Sequence, residues 1–293
     1  MKLGITSVYL SKYGLIDGAK RMKRHGYDCV DYQNFTDTGT DFFNLSEKDF
    51  EKKIKYERDV IESEGLCVYQ AHGPWRYPPR DLELADRAER FEAMSKAIRG
   101  SAYLGAKTMV IHPLMPFGAN VPDRPDEVYK INFDFFGALC EVAKEYGIVI
   151  SYENMPFIFH PIHSVKEITD FAKKINSDNF KVCLDTGHCI RCGEDLADAV
   201  RYIGRDMLFA MHVHDNDGLH DRHWIPKTGV GDWNSFSDVL SEIGFDGVFS
   251  FETSVKGEYT GLEQERLELD LAKMGKQFAR IRPHLKLQNA DFS

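Results

Sequence analysis

The sequence predicts an α/β protein, a (β/α)8 barrel (TIM barrel) that forms a single domain over residues 1–293. Eight short runs of apolar and β-branched residues alternate with longer amphipathic stretches, the pattern of a parallel sheet covered by helices. The length of 293 residues suits this barrel, whose typical size is about 250 residues. The chain lacks GxGxxG after its first strand and GxxxxGK[ST] throughout, so an open doubly wound sheet is only the second choice.

The elements follow from the apolar spacing, taken in chain order. We predict strands at residues 2–8, 27–32, 66–71, 108–112, 148–153, 181–185, 208–214 and 248–253. Amphipathic spacing predicts helices at residues 17–25, 47–64, 82–104, 126–146, 165–175, 196–203, 235–243 and 261–281. Glycine, a common C-cap, directly follows several of these helices. Residues 114–125 are too long for a tight turn, and we predict a loop over one mouth of the barrel.

Composition and charge exclude several classes of protein. The chain has 37 Lys and Arg against 46 Asp and Glu, a formal net charge of −9, and 43% of its residues are hydrophobic. These values favour a soluble globular protein with a large core over a disordered or fibrous chain. The acidic balance disfavours a nonspecific nucleic-acid binder, although it leaves a local basic groove open.

The apolar runs and the cysteines bear on location. No run is long enough for a signal peptide at the N-terminus or for a membrane span of about 20 residues. Six cysteines in a chain of this length do not form a disulfide framework, and most stand inside apolar runs. We therefore expect a reduced, cytoplasmic protein without membrane contacts.

Side chains that bind metal ions end each of the third to eighth predicted strands. In chain order they are His72, His112, Glu153, Asp185 with His188 three residues later, His212 and His214, and Glu252. Active sites of these barrels lie at the C-terminal ends of the strands. Buried carboxylates and imidazoles that converge there repel or desolvate one another unless a cation joins them. This oxygen-rich, mixed donor set predicts one or more divalent ions, Zn²⁺, Mn²⁺, Co²⁺ or Mg²⁺.

A polar segment, HDNDGLHDRHWIPKTGVGDW, follows the seventh predicted strand. Asp221 and His223 are two residues apart, so in an extended loop both side chains can face one side. They are candidates for a second ion or for substrate contacts, and a polar surface loop explains them equally well. Gly229 and Gly231 are expected to let the backbone approach a ligand closely.

The loop after the third predicted strand contains WRYPPR. Trp75 and Arg76 are candidates for substrate binding, because an aromatic ring and a guanidinium can stack on a sugar or probe a DNA helix. The alternative is that these side chains only cap the mouth of the barrel.

The ordered set AHGP, VIHP, SYEN, LDTGH, MHVHD and FET resembles the xylose-isomerase-like barrel superfamily over nearly the whole chain. That group includes sugar isomerases and epimerases, inosose dehydratases and endonuclease IV. The resemblance implies a shared metal site on strands five to eight, with ligands that correspond to Glu153, Asp185, His212 and Glu252. His212 fits the family's His-x-x-Asp spacing through Asp215, but His214 fits it through Asp217, so the choice of histidine stays open.

In the sugar-converting branch, the resemblance implies that the metal chelates two neighbouring sugar oxygens and stabilises an enediolate. Glu153 and Glu252 are then the catalytic groups that exchange a proton with carbon. His188 holds a substrate oxygen, and so does one of His72, His112 or His214. The epimerase branch carries an arginine after the seventh strand. Arg222 stands in that region between Asp221 and His223, which leaves its role in substrate binding and C3-epimerase identity open.

The endonuclease-IV branch implies a three-zinc site and hydrolysis of phosphodiesters. Its additional ligands correspond to His72, His112, His188, Asp221 and His223, and DRH ahead of GVG resembles that branch closely. The acidic chain disfavours this reading because DNA enzymes contact phosphates through Lys and Arg.

We predict a divalent-metal-dependent isomerase or epimerase of a small-molecule sugar or sugar phosphate, with carbohydrate metabolism as its setting. A multi-zinc phosphodiesterase resembling endonuclease IV is the alternative, so nucleic acid is a disfavoured but open partner. A noncatalytic sugar-binding barrel is a third reading. A homo-oligomer is expected by analogy alone.

Overall fold

The computed structural model describes residues 1–120, 123–257 and 259–280, in which eight parallel strands form one sheet. The strands are β1 (Lys2–Thr6), β2 (Cys29–Tyr32), β3 (Cys67–His72), β4 (Thr108–Ile111), β5 (Val149–Glu153), β6 (Phe180–Asp185), β7 (Leu208–His212) and β8 (Val248–Phe251). Their order in the sheet is β7-β6-β5-β4-β3-β2-β1-β8. Every strand predicted from the sequence is therefore present.

A single parallel bridge between Val213 and Phe251 joins the two edge strands. The Val213 N–H donates to Ser250 O at 2.8 Å, and the Glu252 N–H donates to Val213 O at 3.1 Å. The sheet thus closes into a barrel, and the predicted fold class is confirmed. Because the bridge lies next to His212 and Glu252 in the chain, closure brings the ends of β7 and β8 together.

Helices connect successive strands. They are α1 (Val8–Tyr13), α2 (Leu15–His25), α3 (Asp41–Asn44), α4 (Glu47–Ser63), α5 (Leu84–Tyr103), α6 (Pro125–Glu145), α7 (Val165–Ile175), α8 (Thr186–Arg191), α9 (Leu196–Ile203), α10 (Trp233–Glu242) and α11 (Gly261–Phe278). All eight predicted helices are present, and α1, α3 and α8 were not predicted. The final residue of the last predicted helix, Ile281, lies outside the described residues.

The boundaries differ from the prediction where tertiary contacts decide them. Val8 was predicted to end the first strand but begins α1. Tyr9 of this helix is buried, and its hydroxyl lies 3.0 Å from His25 Nδ1. The seventh and eighth strands end at His212 and Phe251 rather than two residues later. Glu252 therefore directly follows its strand, and its N–H bonds to Val213 O across the closing edge.

Large apolar side chains fill the space between the sheet and the helices. Tyr152 of β5, Phe180 of β6, Phe136 of α6 and Phe171 of α7 are fully buried against one another. Each such ring contributes about 1.5–3 kcal/mol by leaving water. This packing holds the strand ends, and the polar side chains on them, in fixed positions. Among the described residues, no helix has the length and apolar character needed to cross a membrane.

Candidate metal centre

Four predicted ligands meet at the C-terminal end of the barrel. Glu153, Asp185 and His212 are the last residues of β5, β6 and β7, and Glu252 directly follows β8. Each offers one ligand atom, and these four atoms all lie within 4.8 Å of one another. The side chains of Glu153 and His212 are 1% and 0% exposed, and that of Glu252 is 18% exposed. Three carboxylates and an imidazole at this spacing suit one divalent ion.

Two further histidines contact Glu153. Its Oε1 lies 2.7 Å from His212 Nδ1, and its Oε2 lies 2.8 Å from His112 Nε2 and 3.6 Å from His72 Nε2. Within the described part of the chain, Glu153 Oε2 has no hydrogen-bond partner of good geometry, although it is buried. A buried carboxylate oxygen close to imidazole nitrogens but without a well-formed hydrogen bond calls for an explanation. A divalent ion provides one, so the residues present fit the group that the sequence predicts.

A second group of potential ligands adjoins the first. Asp185 Oδ2 lies 3.0 Å from His214 Nε2, and His188 Nε2 lies 3.4 Å from Asp221 Oδ2. His223 Nε2 lies 3.2 Å from the same Asp221 oxygen, and its ring stacks on that of His214 with centroids 4.0 Å apart. The structure therefore brings Asp221 and His223 to the centre rather than leaving them on a separate surface loop.

The electrostatic setting keeps several carboxylates ionised. Burial alone raises the pKa of Glu153, but the imidazoles of His212 and His112 hold that pKa well below its usual value. Burial likewise opposes ionisation of Asp185, and His188 and His214 lower its pKa. Ionised carboxylates are the form that a metal ion binds.

The histidines and Glu252 respond differently to burial. Burial lowers the pKa of His112 to about 4 despite the nearby Glu153. Burial also disfavours the cation of His188, but Asp185 and Asp221 outweigh it and raise its pKa to about 10. Burial raises the pKa of Glu252. The two glutamates of the centre therefore differ in how strongly they hold a proton.

Three supporting residues were not identified from the sequence. Asn154 accepts from the Asp185 N–H at 2.8 Å through Oδ1, and its backbone carbonyl lies 2.8 Å from His188 Nδ1. Asp31 of β2 and Gln70 of β3 lie behind His212. A single acidic residue inside the apolar run CVDY was the available signal for Asp31.

A cavity of about 200 Å³ opens onto the centre. The predicted residues that line it are His72, Trp75, His112, Glu153, His188, Asp221, His223 and Glu252. Met155, Pro156 and Phe157 form an apolar part of the wall. Trp75 packs edge-on against His112 with ring centroids 4.5 Å apart. Its mixed lining, an apolar wall facing several polar groups, suits a small polar molecule.

The two predicted substrate-binding arginines point elsewhere and do not line this cavity. Arg76 Nη2 donates to the Arg80 carbonyl at 2.7 Å, and its Nη1 lies 3.4 Å from Glu89 Oε2. Arg222 Nε donates to Asp217 Oδ2 at 3.0 Å. Both guanidiniums are held by residues that lie close to them in the chain, which sequence spacing does not reveal.

The glycines ahead of α10 approach a carboxylate of the chain itself, not a ligand. The N–H groups of Gly229 and Gly231 donate to Asp215 at 2.9 and 3.1 Å, and Trp233 Nε1 donates to it at 2.8 Å. Asp215 is fully buried, so these bonds satisfy it. They also fold the loop that carries Asp221 and His223 back over the barrel.

Comparisons with known proteins agree with this architecture. A family profile described as a xylose isomerase-like TIM barrel matches residues 19–275. The uncharacterized protein MJ1311 of Methanocaldococcus jannaschii is 28% identical over 266 residues, covering 86% of this chain and 83% of its own. A probable endonuclease 4 of Mycoplasmopsis pulmonis is 27% identical over 199 residues, covering 68% and 69%.

Solved structures of other proteins share the fold. A D-psicose 3-epimerase crystallised in the presence of D-fructose superposes with a TM-score of 0.77 at 18% identity, covering 95% of this chain and 99% of that one. The IOLI protein with a bound zinc atom superposes with a TM-score of 0.73 at 18% identity, covering 95% and 98%. At these identities the likeness demonstrates the fold alone.

Proposed function

This chain belongs to the xylose isomerase-like TIM barrel family, and on that premise we propose that it is a divalent-metal-dependent sugar isomerase or epimerase. The observation that carries the proposal is the convergence of Glu153 and Glu252 on one point with Asp185 and His212, beside a cavity lined by polar and apolar side chains. The epimerase structures that share the fold support the same substrate class.

The four side chains of the centre would hold the ion: Glu153, Asp185, His212 and Glu252. A divalent ion there supplies Lewis-acid polarisation of the substrate oxygens next to the reacting carbon. The choice of His212 over His214 rests on its nearer carboxylates, since His212 Nδ1 lies 2.7 Å from Glu153 and 3.5 Å from Glu252. His214 Nε2 instead faces Asp185 at 3.0 Å.

The two glutamates serve as the proton-transfer groups. Glu153 comes from β5 and Glu252 from the end of β8, so they approach the cavity from strands that are not neighbours in the barrel. One carboxylate takes the proton from carbon and the other returns one from the opposite side, which inverts that carbon. In an isomerisation the proton returns to the neighbouring carbon instead.

His188 is the group that would hold a substrate oxygen. Its Nδ1 lies 2.8 Å from the Asn154 carbonyl oxygen, which fixes the ring, and its Nε2 is on the side of Asp221 and the cavity. His72 and His112 line the same cavity and serve as further substrate contacts or additional ligands. The edge-on packing of Trp75 against His112 supports a role for this ring as a wall for the sugar.

Hydrogen exchange in deuterated water tests the proposal. The protein, loaded with Mn²⁺, Co²⁺ or Zn²⁺, is incubated with a panel of ketoses, and NMR follows deuterium at C2 and C3. We expect incorporation at the carbon that is inverted or isomerised. Glu153→Gln and Glu252→Gln should each abolish it, whereas Glu268→Gln on α11 is the control. Absence of exchange into every sugar tried would contradict the proposal.

A specific observation favours a second candidate, a multi-zinc phosphodiesterase. Asp221, His223 and His214 form a further group of potential ligands next to the first, and a probable endonuclease 4 is among the relatives. In this reaction several ions would hold the attacking and leaving oxygens of a phosphodiester. The net charge of −9 and the engagement of Arg76 and Arg222 with neighbouring residues disfavour it, since DNA enzymes need free cations around the mouth.

Metal stoichiometry separates the two candidates. Elemental analysis of the purified protein should find one ion per chain for the isomerase reading and three zinc ions for the hydrolase. Cleavage of abasic-site DNA at low enzyme concentration, with salt-sensitive affinity and no exchange into sugars, would reverse the ranking.

A further inference from the structure

Asp31 lies across the barrel from β7, directly behind the centre. Its side chain and that of His212 are both 0% exposed, and Asp31 Oδ2 lies 3.0 Å from His212 Nε2. The other ring nitrogen, Nδ1, faces Glu153 and Glu252. The imidazole of His212 therefore stands between the proposed metal position on one side and a carboxylate on the other.

We propose that Asp31 is a positioning residue that holds the His212 ring with Nε2 protonated, so that Nδ1 is the atom that binds the metal. The inference rests on the proposed metal centre and adds a residue from outside the ligand set. A histidine ligand commonly donates its second N–H to a carboxylate, which fixes the tautomer and makes the ligating nitrogen more basic.

The surroundings of the pair favour Asp31 as the hydrogen-bond acceptor for His212 Nε2. Among the described residues, Nε2 has no hydrogen-bond partner of good geometry, and Asp31 is the carboxylate against it at 3.0 Å. The ring of His72 stacks parallel to that of His212, at 6° and with centroids 5.5 Å apart. Asp31 is therefore the carboxylate toward which a proton on Nε2 would point.

Asp31 is itself held in place. Gln70 Nε2 donates to Asp31 Oδ2 at 3.0 Å and to the Met211 carbonyl at 3.2 Å. Gln70 thus ties the carboxylate to the backbone of β7, next to His212. Within the described chain, Asp31 Oδ1 is buried without a hydrogen-bond partner. Keeping a buried carboxylate here is unfavourable for stability alone, which supports a role toward the centre.

Metal affinity tests the inference. Asp31→Ala removes the acceptor, Asp31→Asn keeps an oxygen but removes the charge, and Gln70→Leu removes the donor that orients Asp31. Competition with a chelator gives the Co²⁺ and Zn²⁺ dissociation constants. We expect Asp31→Ala to weaken binding roughly 10- to 100-fold, with smaller losses for the other two. The visible spectrum of the Co²⁺ protein should shift in Asp31→Ala and Asp31→Asn.

Glu268→Gln is the matched control. Glu268 is also a buried carboxylate at 4% exposure, but it bonds to Arg21 and Tyr13 outside the barrel interior. It should lose stability and keep wild-type metal affinity. If Asp31→Ala does not fold, Asp31→Asn and Gln70→Leu decide the question. Unchanged affinity in the folded variants would overturn the inference and leave the metal centre standing, whereas a wild-type protein without metal affinity would overturn both.

The ligating nitrogen provides a second measurement. Long-range proton–nitrogen correlation on the zinc-loaded, ¹⁵N-histidine-labelled protein identifies the protonated nitrogen of each ring, with His212→Gln used for assignment. We expect Nε2 of His212 to carry the proton. A proton on Nδ1, with zinc on Nε2, would overturn the assignment.

Discussion

The carboxylate of Asp185 both caps a helix and contributes to the proposed metal centre. Oδ1 accepts from the His188 N–H at 2.6 Å and caps α8, and Oδ2 lies 3.0 Å from His214 Nε2 at the centre. This double use explains why β6 passes directly into a helix that presents His188. It also means that a substitution must separate capping from metal binding.

Asp185→Asn makes that separation, because asparagine caps helices about as well as aspartate. We expect the variant to lose most of its metal and all exchange activity, while Asp185→Ala also loses the cap, at a further cost of about 1 kcal/mol. Elemental analysis and urea unfolding of the chelator-treated proteins measure the two effects. Asp195→Asn, at the N-cap of α9, is the control and should keep its metal. Full metal content in Asp185→Asn would show that this ligand is misassigned.

The loop after β7 offers a matched pair of double variants. Asp221 and His223 face the centre with Oδ2 and Nε2 3.2 Å apart, whereas Asp217 and His220 have the same 3.2 Å separation between Oδ2 and Nδ1 but lie away from the cavity. We expect Asp221→Ala/His223→Ala to reduce the number of bound ions or to lower the turnover at least tenfold. Asp217→Ala/His220→Ala should change neither the number of ions nor the turnover. Equal behaviour of the two double variants would make Asp221 and His223 ordinary loop residues.

At the scale of the element, helix α7 begins with a reciprocal cap. Ser164 Oγ accepts from the Glu167 N–H at 3.2 Å, and Glu167 Oε2 accepts from the N–H groups of His163 and Ser164 at 3.0 Å. Burial alone raises the pKa of Glu167, but bonds from the His163 imidazole and from these N–H groups lower it to about 2. The carboxylate is therefore more acidic in the folded than in the unfolded chain.

A lowered folded pKa gives this cap a defined pH window. Its contribution is present above the unfolded value of about 4.3 and is lost as pH falls toward about 2. We expect the free energy of unfolding of the wild type to exceed that of Glu167→Gln by up to about 1 kcal/mol at pH 5–6. The difference is small because the Glu167 side chain is 40% exposed. Near pH 2 the two proteins should be equally stable. Urea unfolding across pH 2–6 measures this. Ser164→Ala, which lacks the cap itself, should be less stable than wild type at pH 6. A difference that persists at pH 2 would contradict the assignment.

Two glycines distinguish a steric requirement for glycine from the cost of glycine within a helix. A Cβ on Gly229 would overlap the Asn216 carbonyl and the Asp215 carboxylate, whereas one on Gly137 of α6 meets nothing within 4 Å. We expect Gly229→Ala to destabilise the protein by about 1–3 kcal/mol and Gly137→Ala to stabilise it by about 0.5–1 kcal/mol. Denaturant titration measures the free energy of unfolding of both variants. An unchanged stability of Gly229→Ala would mean that the loop rearranges without cost.

At the scale of the whole molecule, the centre draws its ligands from four strand ends, so an ion bound there would tie one side of the barrel together. Binding to the folded state alone adds about 2.7 kcal/mol at a free ion concentration 100 times the dissociation constant. We expect Zn²⁺, Mn²⁺ or Co²⁺ to raise the Tm of the chelator-treated protein by roughly 5 °C, and to leave that of Asp185→Asn unchanged. Equal shifts in both proteins would place the bound ion elsewhere.

The alternation of eight apolar runs with eight amphipathic stretches predicted the parallel sheet and its helices without tertiary information, because each period belongs to one type of element. It also put Glu153 and Asp185 at strand ends, since parallel strands all present their carboxyl ends at one mouth. A cytoplasmic location and a homo-oligomer stay predictions. Short segments such as α8 were missed because a cap and a single turn leave no periodic pattern.

What only the tertiary structure decided concerns orientation. Residue type made Arg76, and the family resemblance made Arg222, a candidate for substrate contact; in the structure each bonds to a neighbour in its own loop. Spacing also left His212 and His214 equivalent; in the folded barrel the first faces Glu153 and the second faces Asp185. Asp31 is 181 positions away from His212 in the chain and 3.0 Å away in space. Periodicity reports which face of an element is buried, whereas the partner of a buried polar group depends on which strands closure of the barrel brings together.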